Sequence, residues 1–275
     1  MNKGLRREII RRGEELYTLL KNGDLHALSA RRVQLFSPLE EAAQRHSLEI
    51  EEPSRSTKRR IYDQLLTNLK LAWDYAKENT FSKDTLTAVN GLVQEGDYKL
   101  GLFRDDNVRI QGDDVRLPPD AMKIEREIGK VIFDYNILEF IARDNPANAV
   151  ELAAYLHLQI ARVHPFKDGN GRTSRILQDA FLYRCGLPPA VINHAERVIY
   201  FNILRRAIHD LNGNEGRIFD DKGKSPSESS MGMYGEFVDF IGSKVAASMD
   251  QIIEASNHQP HVHKRKTSGK FRKQW

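Results

Sequence analysis

One cysteine, Cys185, stands among 275 residues, so no internal disulfide framework can form. A reducing cytoplasm is the simplest home for such a chain, whether its own cell's or that of a cell into which it is delivered as an effector. No apolar run approaches the roughly 20 residues needed to cross a bilayer, and the mean hydropathy is −0.55. The first twenty residues are basic and amphipathic but lack the apolar stretch of a secretory signal. Acidic residues are missing from 257–275, which holds Lys264, Arg265, Lys266, Lys270, Arg272 and Lys273. Residues 1–12 are also basic, so a net charge of +4 conceals an acidic body with basic ends. That distribution argues against nucleic acid as the main partner, except through the tail, whose composition reads as disordered.

What is present is mainly helical patterning. Residues 5–21 read as a short amphipathic helix and 37–60, with Pro38 and Pro53, as a polar connector containing a short helix. Residues 58–78 place Ile61, Leu65, Leu69 and Ala72 at helical spacing. Pro118 and Pro119 open a helix at 120–143, and Asp144-Asn145-Pro146 ends it. Residues 147–163 are apolar on most sides and should lie centrally. Further helices are expected over 171–186, 195–211 and 235–255, with a loop over 212–231. The run 100–112, LGLFRDDNVRIQG, reads as a small β-hairpin turning at Asp105-Asp106-Asn107; two strands alone are marginal in water, so it must lean on the helices. These elements predict an N-terminal helical extension (1–55), a core (56–212), a loop and last helix packed on it (213–256) and the tail (257–275).

Chemistry concentrates in 164–175, HPFKDGNGRTSR. Pro165 stops a helix at His164, and a loop then enters a new helix. Gly169 and Gly171 permit left-handed backbone and close ligand approach, so that N–H groups converge at a helix N-terminus as an anion site. Arg172 and Arg175 share a face and oppose the helix dipole, an arrangement that a polyphosphate would relieve. Asp168 suits Mg²⁺, which takes one or two carboxylates plus phosphate oxygens. His164 has the pKa of a base for a hydroxyl near neutral pH. Phe166 is expected to anchor the loop in the core. His157, two turns before His164, reads as a packed and partnered residue. Cys185 reads as packing. Gly223-Lys224-Ser225 lacks the earlier glycine of a phosphate loop, and His258, His261 and His263 form a weak metal candidate in a polar tail.

The segment resembles the complete Fic-family signature, His-Pro-Phe-x-(Asp/Glu)-Gly-Asn-Gly-Arg-x-x-Arg. A fainter resemblance extends over 57–211. It implies a Fic-type helical bundle with a β-hairpin flap over the site, and transfer of AMP from ATP to a Ser, Thr or Tyr hydroxyl of a target protein, releasing pyrophosphate. His164 would be the base. Asp168 would hold Mg²⁺, and Gly169, Asn170 and Gly171 would cradle the phosphates, with Arg172 on the β- and Arg175 on the γ-phosphate. Tyr200 and Asn202 would belong to the nucleotide-side helix, while Val108, Arg109 and Ile110 of the flap would pair with the target segment. Transfer of UMP, GMP or phosphate is the alternative on the same scaffold; the retained Gly-Asn-Gly-Arg favours nucleotidyl transfer. Many Fic proteins carry an inhibitory Ser/Thr-x-x-x-Glu-(Gly/Asn) helix. Here Ser37–Glu41 is followed by Ala42 and Ser47–Glu51 by Glu52, so neither matches fully. Three alternatives follow: a separate antitoxin-like inhibitor protein, a degenerate motif, or no such control.

Overall fold

The computed structural model describes residues 1–21, 25–51, 59–97, 99, 101–108, 118–143, 145–213 and 232–257. Within them the architecture is helical: α1 (Lys3–Lys21), α2 (Leu25–Glu51), α3 (Arg59–Glu78), α4 (Lys83–Glu95), α5 (Ile124–Arg143), α6 (Pro146–Val163), α7 (Asn170–Arg184), α8 (Arg197–Gly213) and α9 (Gly232–Asn257). Short 3-10 turns at Ala121–Lys123 and His194–Glu196 precede α5 and α8. No described helix is long and apolar enough to cross a membrane.

Helix α6 is the axis of the bundle, packed by α1, α5, α7, α8 and α9. Its sequence explains the position, since twelve of the seventeen residues from Ala147 to Val163 are apolar and all but Asn148 and Glu151 are buried. Asn145 starts it, its side chain accepting from the N–H groups of Ala147 and Asn148, with Pro146 in the first turn. Asn145→Ala should therefore lower the unfolding free energy by about 1 kcal/mol, read as a lower urea midpoint at unchanged slope.

Two expectations for the first half of the chain change. Residues 37–51 of the expected polar connector are instead the end of α2, a helix that continues through Pro38, and 52–58 lie outside the described residues. Phe36, Leu39, Leu48 and Ile50 are buried along it, and Gln44 and Ser47 share that buried face. The polar residues among the apolar ones broke the stripe that would have marked the helix. Helix α4, absent from the expected elements, is started by Ser82, which accepts from the Thr85 N–H, and closed by Gly96 at φ 70°. It buries Leu86, Val89, Leu92 and Val93.

The hairpin is not seen: there is no strand among the described residues. Leu100 and residues 109–112, which include Arg109 and Ile110, lie outside them. Residues 101–108 run as irregular chain held down through Arg104. Its backbone N–H donates to Pro165 O at 2.8 Å. Its guanidinium donates to the carbonyls of His164 (2.8 Å), Asp106 (2.7 Å) and Pro119 (2.6 Å). The segment is thus bonded to the loop between α6 and α7. Val108 is half-buried at its end.

Candidate active site

His164 caps α6 in a left-handed conformation, φ 49° and ψ 57°, with its N–H on Ile160 O at 2.9 Å. Among the described residues it is the one non-glycine with positive φ. The following proline disfavours the right-handed helical region, and the left-handed alternative costs roughly 1–2 kcal/mol for a residue with a Cβ. Arg104, bonded to both His164 O and Pro165 O, holds that conformation in place. The imidazole is half-buried at the mouth of the loop.

The loop is fixed from within and from below. Phe166 is buried against Phe103. Asn170 is also buried, and both ends of its amide serve the loop: Oδ1 accepts from the Phe166 N–H at 3.0 Å and Nδ2 donates to Phe166 O at 2.8 Å. Asn90 of α4 donates to Asp168 O and Thr173 Oγ1, each at 3.1 Å. Gly169 at φ 77° starts α7, where a side chain would also press on Asn90 and Gln94. Asp168 presents a 73% exposed carboxylate, with Oδ1 on the Gly169 N–H (2.6 Å) and Oδ2 on Arg172 (3.1 Å). Arg172 itself is buried, and its Nε has no hydrogen-bond partner.

Arg175 lies deeper, 4% exposed. Its Nε donates to Ser47 Oγ at 2.8 Å and NH2 to Ser47 O at 3.1 Å. NH1 donates to the Tyr200 hydroxyl at 3.1 Å, and NH2 pairs with Glu51 Oε1 at 2.7 Å. Burial opposes the guanidinium's charge, but the facing Tyr200 and Glu51 outweigh it and leave its pKa above the ordinary value. The Glu51 carboxylate rests over Gly171, where any Cβ would collide with it. An anion therefore already sits at the N-terminus of α7, between the glycine and the arginine, and it comes from α2.

Behind Arg175 runs a buried hydrogen-bond chain. Tyr200, fully buried on α8, faces the arginine and bonds His157 Nε2 at 2.8 Å. His157 Nδ1 meets Gln178 Oε1 at 2.8 Å, and Gln178 Nε2 donates to Asp179 Oδ1 at 2.9 Å. Asp179 Oδ1 also accepts from the Ala190 N–H at 3.0 Å. Since Gln178 Oε1 only accepts, Nδ1 of His157 carries the proton and Nε2 accepts from Tyr200. Burial pushes His157 down to about 3 and Asp179 up to about 7. His157 is thus the packed, partnered residue that its spacing suggests. Tyr200 backs Arg175, and Asn202 is exposed on α8.

The two shifts act on stability with opposite signs. For Asp179 the folded state binds more protons between pH 3.8 and about 7, so its contribution is present at low pH and lost as pH rises. For His157 the unfolded state binds more between about 3 and 6.5, so its contribution is lost as pH falls. Asp179→Asn removes only the first, and its stability relative to the parent should climb steadily from pH 4 to 7. Urea unfolding across that range measures the difference, and a flat difference would contradict the protonated carboxyl.

Ser47 and Glu51 on α2, Asn90 on α4 and Arg104 join the site without having been singled out as its parts from sequence. A signal existed for Ser47 and Glu51 in their four-residue spacing. Asn90 and Arg104 lie 78 and 60 residues from their partners and carry no local signature.

Residues 80–182 match the family model described as Fic/DOC family. These residues form a Fic/DOC domain. The "Protein adenylyltransferase Fic" of Nematostella vectensis is 45% identical over 60 residues, which make up 22% of this chain and 14% of that protein. The protein of the same name from Drosophila ananassae is 34% identical over 112 residues, 41% of this chain and 18% of its own length. The chain therefore matches less than a fifth of these relatives. A Fic domain containing signaling protein from Bacteroides thetaiotaomicron shares the fold at 20% identity, with a TM-score of 0.67 over 90% of this chain and 98% of that one. The Fic/DOC match spans α4 to most of α7, so it holds His164, the loop and Arg175, while Glu51 lies outside it.

Proposed function

We propose that the chain is a protein adenylyltransferase that moves AMP from ATP to a Ser, Thr or Tyr hydroxyl of a target protein and releases pyrophosphate. The observation that carries this reading is the Glu51 carboxylate held between Gly171 and Arg175. It marks an anion site one loop away from a half-buried histidine, and the unpartnered Arg172 Nε adds a second donor for a polyanion. The names of the curated relatives support AMP as the transferred group.

In this reading His164 takes the proton of the target hydroxyl, whose oxygen attacks the α-phosphorus as the bond to the β-phosphate oxygen breaks. Backbone N–H groups of Gly169 to Gly171 and the Arg172 and Arg175 side chains receive the phosphates, electrostatic stabilisation being the main catalytic term for such transfers. The Asp168 carboxylate fits Mg²⁺, being exposed and beside the anion site. The ion, when bound, neutralises phosphate charge. Residues 108–110 belong to the segment that would position the target.

The same geometry supports control within the chain. Glu51 occupies a donor that a nucleotide phosphate needs, so α2 acts as an inhibitory element although Glu52 stands where the motif has glycine or asparagine. The contact depends on Ser47 and Glu51 lying four residues, about one turn, apart.

ATP labelled on the α- or γ-phosphate distinguishes the transfers. Protein-bound label from the α position alone is expected. Label from the γ position alone would replace this reading with phosphate transfer, and UTP or GTP outcompeting ATP would change the base.

A further inference from the structure

We infer that His46, Glu49 and His194 form a binding site for a zinc-class divalent cation, joining the end of α2 to the turn before α8. His46 Nδ1 and His194 Nδ1 approach the same carboxylate oxygen, Glu49 Oε2, at 3.3 and 3.1 Å. The three ligand atoms lie within 4.8 Å of one another, and the two imidazoles stack at 5.6 Å between centroids with 24° between planes.

These distances are long for charge-assisted hydrogen bonds, which run at about 2.7–2.9 Å. They fit the edge of a tetrahedron instead: bonds of about 2.0–2.1 Å to nitrogen and oxygen place neighbouring ligand atoms roughly 3.3 Å apart. Small rotations of the two rings would close the third edge. Two imidazoles and one carboxylate select zinc, cobalt or nickel over Mg²⁺ or Ca²⁺, which prefer all-oxygen sites. This separates the site from Asp168. Tyr62 lies near enough to Glu49 to feel its charge, and it would serve as the kind of outer partner that orients a ligating carboxylate. The side chains are 22%, 32% and 54% exposed, leaving an entry path and room for water as the fourth ligand.

The ligands come from two elements. His46 and Glu49 are one turn apart on α2, while His194 opens the 3-10 turn that leads into α8. Arg197 already donates to Ile50 O at 2.6 Å, so the ion would add a second tie at the same junction. Glu49 precedes Glu51 by two residues, and a bound ion would hold that end of α2 in place. The site itself depends on no step of the transfer reaction.

The test uses the full chain with His258, His261 and His263 replaced by alanine, titrated with Co²⁺ and followed by its visible absorption. About one equivalent should bind, with the intense bands of a low-coordinate ion. His46→Ala and His194→Ala should each weaken binding by about tenfold or more, and Tyr62→Phe less strongly. With Zn²⁺ added, backbone hydrogen exchange over 44–51 should slow in the parent and not in His194→Ala. Equal Co²⁺ affinity in the parent and both histidine variants would overturn the site. So would weak octahedral spectra, or exchange over 44–51 that ignores the metal. His194 is exposed, so its replacement does not threaten the fold.

Discussion

His164→Ala should lower transfer of labelled AMP by about 10²–10⁴-fold, the usual worth of a general base, while ATP affinity changes by less than about threefold. The split follows from the geometry. In the proposed reading Gly169, Gly171, Arg172 and Arg175 receive the phosphates, and the imidazole serves the target hydroxyl. The backbone at 164 is left-handed, and alanine there suffers the same strain as histidine. Asparagine tolerates that conformation best among non-glycine residues, so His164→Asn provides a second variant with the loop intact. Both should melt near the parent and both should fail to transfer label. A rate equal to the parent's in either would remove His164 as the base. Fluorescent-nucleotide titration measures the affinity arm.

Glu51→Gln should strengthen ATP binding by about 10- to 100-fold and raise transfer with it. The magnitude is that of a hydrogen bond to a charged group, about 1.5–3 kcal/mol, converted at 1.4 kcal/mol per factor of ten. Glutamine keeps the length of the side chain and removes the charge that competes with phosphate for Arg175. Arg175 itself stays aimed, because Ser47 takes two of its donors and Tyr200 a third. Only one of its acceptors changes when nucleotide replaces the carboxylate. Glu51→Gly should go further, since it also empties the space above Gly171. If the parent and both variants bind ATP equally, Glu51 is not a competitor of the phosphate.

The motif loop was legible in the sequence because everything it needs is local. A helix stop at His164, two glycines, a metal-type carboxylate and two arginines on one face all fall within twelve residues, and the structure brings them to one loop. Helices α1, α3 and α5 to α9 were legible from periodicity, with proline marking the approach to α5 and asparagine and proline the start of α6. The rest depended on distance. Glu51 reaches Arg175 across 124 residues, and a consecutive motif with one mismatched position did not reveal the contact. Of the expected β-hairpin, 101–108 form no strand, and Leu100 and 109–112 lie outside the described residues. The Arg104 backbone N–H donates to Pro165 O, which ties that segment to the loop after α6. The extent of α2 was hidden by Pro38 and by polar residues on its buried face, and some of those, Ser47 above all, are polar because they serve the arginine.

Arg104 also has a meaning for variation. By bonding Asp106 O and Pro119 O at once, one guanidinium fastens together the two ends of the intervening stretch. A loop whose ends are already joined can be lengthened cheaply, at about 0.6 kcal/mol for each doubling of its length. A change in the number of residues between Asp106 and Pro119 should therefore cost little stability. His164, bonded to the same guanidinium through its carbonyl, is thereby tied to both ends of that stretch.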